Sequence, residues 1–314
     1  MTRMALPARG QPRLLERLDG RTHRLSSVLF TLPFAILFFT FTLLPIAASV
    51  VLSFTYFNML QAPVFIGMDN YVRLLLEDDV FLTALRNTFT FALLTGPVSY
   101  FLSFLFAWFI TDFRRGLRTA LTFLFYAPSL AGNVYFIWTY IFSDDAVGLL
   151  NSTLLRTGLV RDSIQWLSDP NYSMGVVVVV ILWLSMSVGF LAFVAGLQSM
   201  DRSLYEAGAV DGVRNRFQEL WYITLPQMVP QLLFGAVMQI SASFAVGYEA
   251  MSLTGFPSTD YATHTVILHI LDYGAIRFEM GYASAIAVVL FFLMLLFWSV
   301  VRGTLRRMGR EDGA

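Results

Sequence analysis

The 314-residue sequence contains no cysteine and no lysine, so all 21 of its basic residues are arginines. The absence of cysteine excludes a disulfide framework, an iron–sulfur cluster and zinc sites with cysteine ligands. Charged residues make up only 13% of the chain, and 21 acidic residues bring the formal net charge to zero. A nucleic-acid-binding protein needs a basic excess to meet the phosphates, so this composition argues against that class.

Apolar residues are abundant: they make up 57% of the chain, against about 45–50% in soluble domains. A soluble globule of this composition would have too little polar surface to cover itself. None of the apolar stretches alternates as a membrane β-strand does. A membrane-crossing helix needs about 20 apolar residues, and six stretches qualify: Val28–Phe54, Thr88–Ile110, Thr119–Phe142, Met174–Gln198, Leu232–Leu253 and Tyr282–Val301. The sequence therefore predicts an all-α membrane protein with six transmembrane helices, called spans 1 to 6 below.

The arginines are unevenly distributed between the connecting segments. Sixteen of the 21 lie in residues 1–27, 112–118, 199–231 and 302–314, which alternate with poorly charged loops. Arginine-rich segments next to transmembrane helices remain in the cytoplasm. We therefore expect an Arg-rich cytoplasmic head (1–27), a six-span domain (28–301) and a cytoplasmic tail (302–314), with both termini and the loop 199–231 inside the cell.

Catalytic motifs are missing from the sequence. There is no phosphate-binding G-x-x-x-x-G-K-[ST] loop and no H-E-x-x-H zinc motif. We predict that the histidines at 23, 264 and 269 are solvated loop residues, because His264 and His269, five residues apart, do not share a helical face. The acid pairs Asp78–Asp79 and Asp144–Asp145 fall in predicted external loops, and adjacent acids do not converge on one cation site. We expect a chain that is not an enzyme and that binds no metal or cofactor itself.

The loop 199–231, between spans 4 and 5, carries helix signals. Ser203 and Glu206 have the spacing of a capping box, in which Ser caps the helix and Glu reaches back to the first amide. This predicts a short helix that stops at Gly212, which can adopt the left-handed conformation past a helix end. Residues 207–209, Ala-Gly-Ala, leave one face nearly bare, so another protein's backbone can approach it.

A second start signal, Asn215-Arg-Phe-Gln218, follows in the same loop and predicts another helix before span 5. The loop is therefore predicted to be a helix–turn–helix on the cytoplasmic surface. From these residues alone, it serves either to dock another protein or only to connect two spans.

The segment Glu206-Ala-Gly-Ala-Val-Asp-Gly212, followed by Ile223-Thr-Leu-Pro226, resembles the EAA loop of permease subunits in ABC-type importers. In that family, the motif forms the coupling helix that docks on a cytoplasmic ATPase subunit. The resemblance implies ATPase-coupling roles for Glu206, Ala207, Gly208, Ala209, Asp211, Gly212, Leu225 and Pro226. This chain has one residue more than the family between Gly212 and Ile223, which we expect to lengthen the turn at residues 213–215.

Other segments resemble the carbohydrate permeases of this family, in the subclass that forms the first of two unlike permease subunits. They are Phe65–Tyr71, Ala84–Thr88, Trp166–Pro170 and Gly281–Leu290. The resemblance implies the type I ABC importer permease fold, in a multi-pass protein of a bacterial inner membrane. It also implies a second, non-identical permease subunit, two ATPase subunits that use ATP and Mg, and an extracytoplasmic solute-binding protein that delivers a sugar-like substrate.

A path for such a substrate needs aromatic faces for sugar rings and polar side chains for hydroxyls. By type and location, the candidates are Asn133, Tyr135, Trp138, Trp183, Gln239, Tyr248 and Glu249. Two alternatives stay open. One is a permease of the same superfamily for a non-sugar solute. The other is an ion-coupled secondary transporter, which needs carboxylates at membrane depth and for which Glu249 is the candidate.

Overall fold

A computed structural model describes residues 29–308 of the chain, apart from residues 131, 133 and 187. The predicted head 1–27, the last six residues of the predicted tail and the candidate Asn133 lie outside the described residues. Within the described part, regular structure is almost entirely helical, and the strands form one short hairpin. The predicted all-α fold class is confirmed.

The helices are labelled α1 to α14 in chain order. They are α1 (Leu29–Leu52), α2 (Asp69–Leu76), α3 (Asp79–Thr111), α4 (Arg115–Leu130), α5 (Tyr135–Ile141), α6 (Leu149–Arg156), α7 (Pro170–Leu184), α8 (Val188–Gln198), α9 (Arg202–Val210), α10 (Arg216–Gln227), α11 (Val229–Phe244), α12 (Tyr248–Thr254), α13 (Val266–Ile276) and α14 (Met280–Met308). Single π-helical turns lie within α1, α10 and α13, at Phe39–Leu43, Leu220–Thr224 and Asp272–Ile276. A 3₁₀ turn covers Thr259–Tyr261.

Six segments account for the predicted spans. Four are long and apolar enough to cross a membrane unaided: α1, α3, α7 together with α8, and α14 as far as Gly303. The other two are bent pairs, since α4 and α5 meet at 86° and α10 and α11 meet at 80°. If each pair is counted as one span, the total is six. The predicted number of spans is confirmed, and spans 3 and 5 are the bent ones.

Span 2 begins earlier than the sequence pattern predicts. The Asp78 carboxylate caps α3 by accepting a hydrogen bond from the Phe81 amide at 2.8 Å, which satisfies a donor that the first turn leaves unpaired. The helix therefore starts at Asp79 rather than near Thr88. Its first turns lie outside the continuous apolar stretch on which the prediction rested.

The centre of the bundle is the crossing of α3, α8 and α11. At this crossing, Gly189 of α8 lies against the backbone of Gly235 in α11, and a Cβ added at Gly235 would overlap the ring of Phe193. Small residues let transmembrane helices approach closely. The buried side chains of Phe193 and Met228 fill the adjacent space, so the loop that joins α8 to α11 is held at one end of the bundle.

Span 5 is interrupted where the sequence predicts a continuous helix over Leu232–Leu253. Helix α11 ends at Phe244, and α12 begins at Tyr248 as a separate short helix. Gly247 lies between them with φ −160° and ψ −63°, outside the helical region, and a Cβ there would come within 2.5 Å of an Ile267 methyl carbon. The apolar composition continues through this segment, so the sequence pattern gave no sign of the break, where Gly247 packs closely against Ile267 of α13.

A small extracytoplasmic layer, as oriented by the arginine distribution, connects spans 1, 2 and 6. It contains the antiparallel pair β1 (Thr55–Tyr56) and β2 (Val64–Phe65), with Thr55 opposite Phe65. Gly281, at the start of α14, lies directly against β1, and its amide donates to the Phe57 carbonyl at 3.1 Å. Arg73 of α2 forms an ion pair with Glu279 at 2.6 Å. These contacts fix the loop before span 2 onto the beginning of span 6.

Candidate functional site

The coupling loop, defined as residues 199–231, contains the predicted short helix, but the start of that helix is different. Asp201 is the cap: its carboxylate accepts from the Ser203 amide at 3.0 Å, while its own backbone is extended. Helix α9 therefore begins at Arg202, and the predicted capping box of Ser203 and Glu206 is wrong. Because Asp201, two residues before Ser203, supplies the acceptor, Glu206 has no capping role, and its side chain is exposed.

The end of α9 agrees with the prediction. Gly212 has φ +96°, in the left-handed region. Its amide donates to the Ala209 carbonyl at 3.4 Å, and the Val213 amide donates to the Gly208 carbonyl at 2.9 Å. These two bonds are the pair that defines a Schellman motif, which satisfies carbonyls left unpaired at a helix end. Gly212 thus closes the helix and reverses the chain.

The small residues of α9 face in two directions. Gly208 is turned inward: a Cβ added there would lie 2.6 Å from the Ile223 side chain of α10. It therefore allows α9 to pack on its own chain, and the prediction that all three small residues leave a bare outer face is wrong for Gly208. Ala207 and Ala209 are exposed, and the neighbouring Val210 is 88% exposed. These three residues and Glu206 form the outer face of α9.

Helix α10 starts where the second signal predicts. The Asn215 side chain accepts from the Gln218 amide at 2.9 Å, and the Gln218 side chain accepts from the Arg214 amide at 2.8 Å. Helix α10 also contains the π-helical turn Leu220–Thr224, in which each hydrogen bond spans one residue more than in an α-helix. The lengthening expected at residues 213–215 stays a prediction.

Leu225 and Pro226 do not lie on the outer face of α9. They are half-buried in the last turn of α10, just before the 80° bend into α11. Leu225 packs against the buried cluster that includes Met228. The structure therefore divides the residues assigned from the EAA resemblance into an exposed set on α9 and a set that holds the bend into span 5.

A cavity of about 800 Å³ lies between the coupling loop and the turn that joins α3 to α4. It is rich in charged side chains of both signs: Arg114, Arg115, Arg118, Arg202 and Arg216, with Asp112, Glu206 and Glu219. The arginine-rich turn 112–118 and the coupling loop thus meet at the same end of the bundle, as their common predicted location requires.

Five of the seven pathway candidates come together away from the coupling loop, on α5, α7 and α12. The rings of Tyr135 and Tyr248 pack edge to face, with centroids 5.6 Å apart, and those of Trp138 and Trp183 do so at 5.3 Å. Glu249 accepts a hydrogen bond from the Gly247 amide at 3.1 Å and lies close enough to Tyr135 to interact electrostatically. We call these residues of α5, α7 and α12 the aromatic cluster. Asn133, beside it in the sequence, lies outside the described residues.

Gln239 is not part of the aromatic cluster. It lies on α11 and is only 9% exposed, lining a cleft of about 390 Å³ between α3, α11 and α14. The cleft is otherwise largely apolar, with Phe101 and Phe297 among its walls. Side-chain type and location grouped Gln239 with the aromatic residues, but the structure places it in this cleft instead.

The histidine assignments in the external loops are corrected by the structure. His264 and His269 are each 1% exposed, and Asp78 is buried. The Asp78 carboxylate accepts from the Tyr282 hydroxyl at 2.7 Å and from His269 Nε2 at 3.0 Å. His269 Nδ1 lies 3.2 Å from His264 Nε2. The prediction of solvated histidines is wrong for His264 and His269, because α13 folds back against the cap of α3, a contact that helical periodicity does not reveal. His23 lies outside the described residues.

Asp78, His269 and His264 form a row of hydrogen-bonded side chains, which we call the outer polar chain. Their donors and acceptors fix its protonation pattern. An ionised Asp78 only accepts, so His269 donates from Nε2 and accepts at Nδ1, and His264 donates from Nε2. Burial lowers the pKa of His264 to about 4, and burial likewise lowers the pKa of His269, although Asp78 opposes this. Burial alone would raise the pKa of Asp78, but hydrogen bonds from Tyr282 and the Phe81 amide bring it below its ordinary value. Both histidines are thus neutral at pH 7.

No group of three or more histidine, cysteine, aspartate or glutamate side chains in the described part of the chain is arranged to hold a metal ion. Asp144 instead accepts from the Leu167 amide at 2.8 Å. Asp144 therefore connects the turn after α5 to the turn at Leu167, before α7.

With this geometry established, comparison with known proteins identifies the chain. Residues 99–310, more than half of its length, match the family described as binding-protein-dependent transport system inner membrane component. The chain belongs to this family. The matched region contains the coupling loop and spans 3 to 6. Members of the family are transport permeases, and the chain is therefore an integral inner-membrane protein.

Two curated relatives are similar over most of this permease. The probable ABC transporter permease protein YesP of Bacillus subtilis (strain 168) is 33% identical over 276 residues, which cover 86% of this chain and 87% of the relative. The arabinooligosaccharides transport system permease protein AraP of the same organism is 30% identical over 275 residues, or 85% of this chain and 84% of the relative.

A solved structure shares the fold of this permease. It is the crystal structure of a bacterial alginate ABC transporter in complex with a periplasmic protein bound to an alginate pentasaccharide. The similarity covers 95% of this chain and 99% of the other, with a TM-score of 0.75 and 23% identity. The predicted type I ABC importer permease fold is confirmed.

Sequence reasoning on the permease missed two groups of residues. One is the outer polar chain of Asp78, His269 and His264, in which Asp78 is 191 residues from His269 in the sequence. The other is the contact of Arg216 with the end of α3, described below. Aspartate is a preferred helix cap and Asp78 directly precedes α3, but the predicted span began only at Thr88, and nothing in the sequence pointed to the histidine partner of Asp78.

Proposed function

We propose that this permease forms half of the translocation path of an ATP-driven importer for a sugar or oligosaccharide. It pairs with a second, non-identical permease subunit and couples to two ATPase subunits. An extracytoplasmic solute-binding protein delivers the substrate. The names of the relatives support the substrate class, since AraP is named for arabinooligosaccharides, and the alginate transporter crystallised with a periplasmic protein supports the binding-protein partner.

The observation that carries this proposal is the exposed outer face of α9. A nine-residue helix, closed by a Schellman turn, lies at the arginine-rich end of the bundle with Ala207, Ala209 and Val210 uncovered. Apolar and small residues exposed together on a short, rigid helix favour contact with another protein. We infer that Glu206, Ala207, Ala209 and Asp211 contact the ATPase subunit. Gly208, Gly212, Leu225 and Pro226 act indirectly, by holding α9 in place.

For the substrate path, the aromatic cluster is the candidate. Tyr248 is 55% exposed and Trp183 is 41% exposed, so both can contact a solute or a partner subunit. Aromatic faces and a nearby carboxylate suit the apolar faces and hydroxyls of a sugar ring. We propose Tyr135, Trp138, Trp183, Tyr248 and Glu249 as pathway residues, and we keep Asn133 beside them on its sequence position. Gln239, which faces the cleft between α3, α11 and α14, is the weakest candidate.

Two alternatives differ in what they require. A permease for a non-sugar solute would keep the coupling loop and change the aromatic cluster. A secondary transporter would need a carboxylate that binds and releases an ion at membrane depth, but Glu249 is already engaged at the start of α12 by the Gly247 amide. An ATP-driven importer is therefore the favoured interpretation. We further propose that the chain has no catalytic activity and binds no cofactor, while ATP and Mg act on the ATPase subunits.

ATP hydrolysis tests the proposal directly. The purified chain should hydrolyse no ATP until the ATPase subunits and the second permease are added, and hydrolysis should then rise with loaded binding protein. A benzophenone attached to Ala209→Cys, in a chain with no other cysteine, should cross-link to the ATPase subunit. Hydrolysis by the isolated chain, or no cross-link from position 209, would contradict the proposal.

Membrane orientation is tested with fusions. A reporter active only in the cytoplasm should be active after Gly313 and inactive at Asp162. Activity at Asp162 would contradict the multi-pass arrangement with both termini in the cytoplasm.

A further inference from the structure

Arg216, the first residue of α10, makes several contacts with the end of α3. Its Nη2 atom lies 2.6 Å from an Asp112 carboxylate oxygen and donates to the Trp108 carbonyl at 2.9 Å. The guanidinium carbon also lies 4.2 Å from the centre of the Trp108 ring. Carbonyls at a helix end are unpaired and carry partial negative charge, so a cation there is favourable. A guanidinium combines this hydrogen bond, the ion pair and the aromatic contact in one side chain.

The same segment is attached firmly to α9. The Tyr205 hydroxyl of α9 lies 3.0 Å from the Thr224 hydroxyl of α10, and Gly208 packs against Ile223. The ring of Phe217, next to Arg216, packs against the ring of Trp108 at a tilt of 56°, with centroids 5.6 Å apart. An unbroken series of contacts therefore runs from the outer face of α9, through α10, to the end of span 2.

The connection matters because the two routes out of the coupling loop are different. Toward span 5, α10 continues directly into α11 through the bend at Met228. Toward span 2, the coupling loop has no short covalent connection, and Arg216 provides a polar contact through Asp112 and the Trp108 carbonyl. We propose that Arg216 is a positioning residue that transmits movement of the coupling loop to span 2, so that spans 2 and 5 move together. This inference rests on the proposed function, because it assumes that the ATPase moves α9.

The test compares Arg216→Gln with Arg114→Gln in the complete transporter, reconstituted in vesicles with its binding protein. Arg114 lies in the arginine-rich turn 112–118, beside Asp112, and is exposed, so its substitution removes the same charge without disturbing Trp108. The readouts are uptake, ATP hydrolysis and the cross-link from Ala209→Cys. For Arg216→Gln, we expect the cross-link to remain and the ATP used per transported molecule to rise on the order of tenfold, since a charged hydrogen bond is lost.

Two further variants separate positioning from simple folding. Arg216→Lys keeps the charge but loses the planar set of N–H donors and the guanidinium contact with the Trp108 ring. Its ratio of ATP hydrolysed to substrate taken up should therefore fall between those of the wild type and Arg216→Gln. Asp112→Asn should shift the ratio in the same direction by less, since the Trp108 carbonyl remains an acceptor. An unchanged ratio in Arg216→Gln with the cross-link intact, or an equal rise in Arg114→Gln, would overturn the positioning role alone. Absence of the cross-link in the otherwise wild-type chain would overturn the docking proposal, and this inference with it.

Discussion

Substitution of Gly212 is the most direct test of the coupling loop. This residue has φ +96°, and a Cβ built on it meets no atom within 4 Å. A side chain at this position therefore causes no steric clash, and its cost comes from the backbone alone. Only glycine adopts such a conformation freely, whereas asparagine tolerates it better than alanine, and β-branched residues tolerate it worst.

The magnitude follows from this strain. Holding a non-glycine residue in a sparsely populated backbone region costs about 1–3 kcal/mol, and each 1.4 kcal/mol or so is a factor of ten in an equilibrium. Gly212→Val should therefore disfavour the Schellman turn roughly 30-fold, taking a penalty of about 2 kcal/mol. When the turn opens, the Val213 bond to the Gly208 carbonyl is lost, and α9 is released at one end. Uptake should decrease in the order Gly, Asn, Ala, Val.

Gly158 supplies a matched control. It follows α6 with φ +69° and no atom within 4 Å of an added Cβ. Its amide donates to Leu155 and the next amide to Leu154, so it closes a second Schellman motif, in the loop between spans 3 and 4. Gly158→Val imposes a similar backbone strain far from α9, and it should leave uptake close to that of the wild type.

The assay is uptake of labelled substrate at matched membrane levels of each variant, together with ATP hydrolysis stimulated by loaded binding protein. Because neither glycine lies in a predicted span, insertion and abundance should change little. Wild-type uptake in Gly212→Val would refute the reasoning. So would an equal loss in Gly158→Val, which would indicate general destabilisation rather than a defect of the coupling loop.

Three further predictions concern stability. Gly281→Ala forces a Cβ onto the Thr55 carbonyl and should destabilise the protein by at least about 1–3 kcal/mol, seen as a lower melting temperature in detergent. The pKa of His264 is lowered to about 4, so its contribution to stability is complete above about pH 6.5. That contribution is lost as the pH falls toward 4, by at most about 3 kcal/mol. The melting temperature of His264→Gln should therefore depend less on pH over that range. Asp201→Ala should loosen α9 and speed amide exchange there, whereas Ser203→Ala should not, since only the aspartate caps the helix.

The amino-acid sequence determined the features of this permease that depend on composition and on local backbone chemistry. Six apolar stretches predict six spans because hydrocarbon requires a fixed length of apolar helix. Gly212 and Asn215 were correctly assigned as a helix end and a helix start, since both depend on hydrogen bonds within a few residues. The EAA resemblance identified the family for the same reason, because its motif is contiguous.

Features that depend on distant residues were decided only by the tertiary structure. Burial of His264 and His269 depends on α13 packing against the cap of span 2, which is far away in the chain. The close packing at Gly247, where span 5 breaks, and the contact of Arg216 with Asp112 likewise depend on neighbours contributed by other helices. Helical periodicity states which residues share a face, and only packing decides what that face meets.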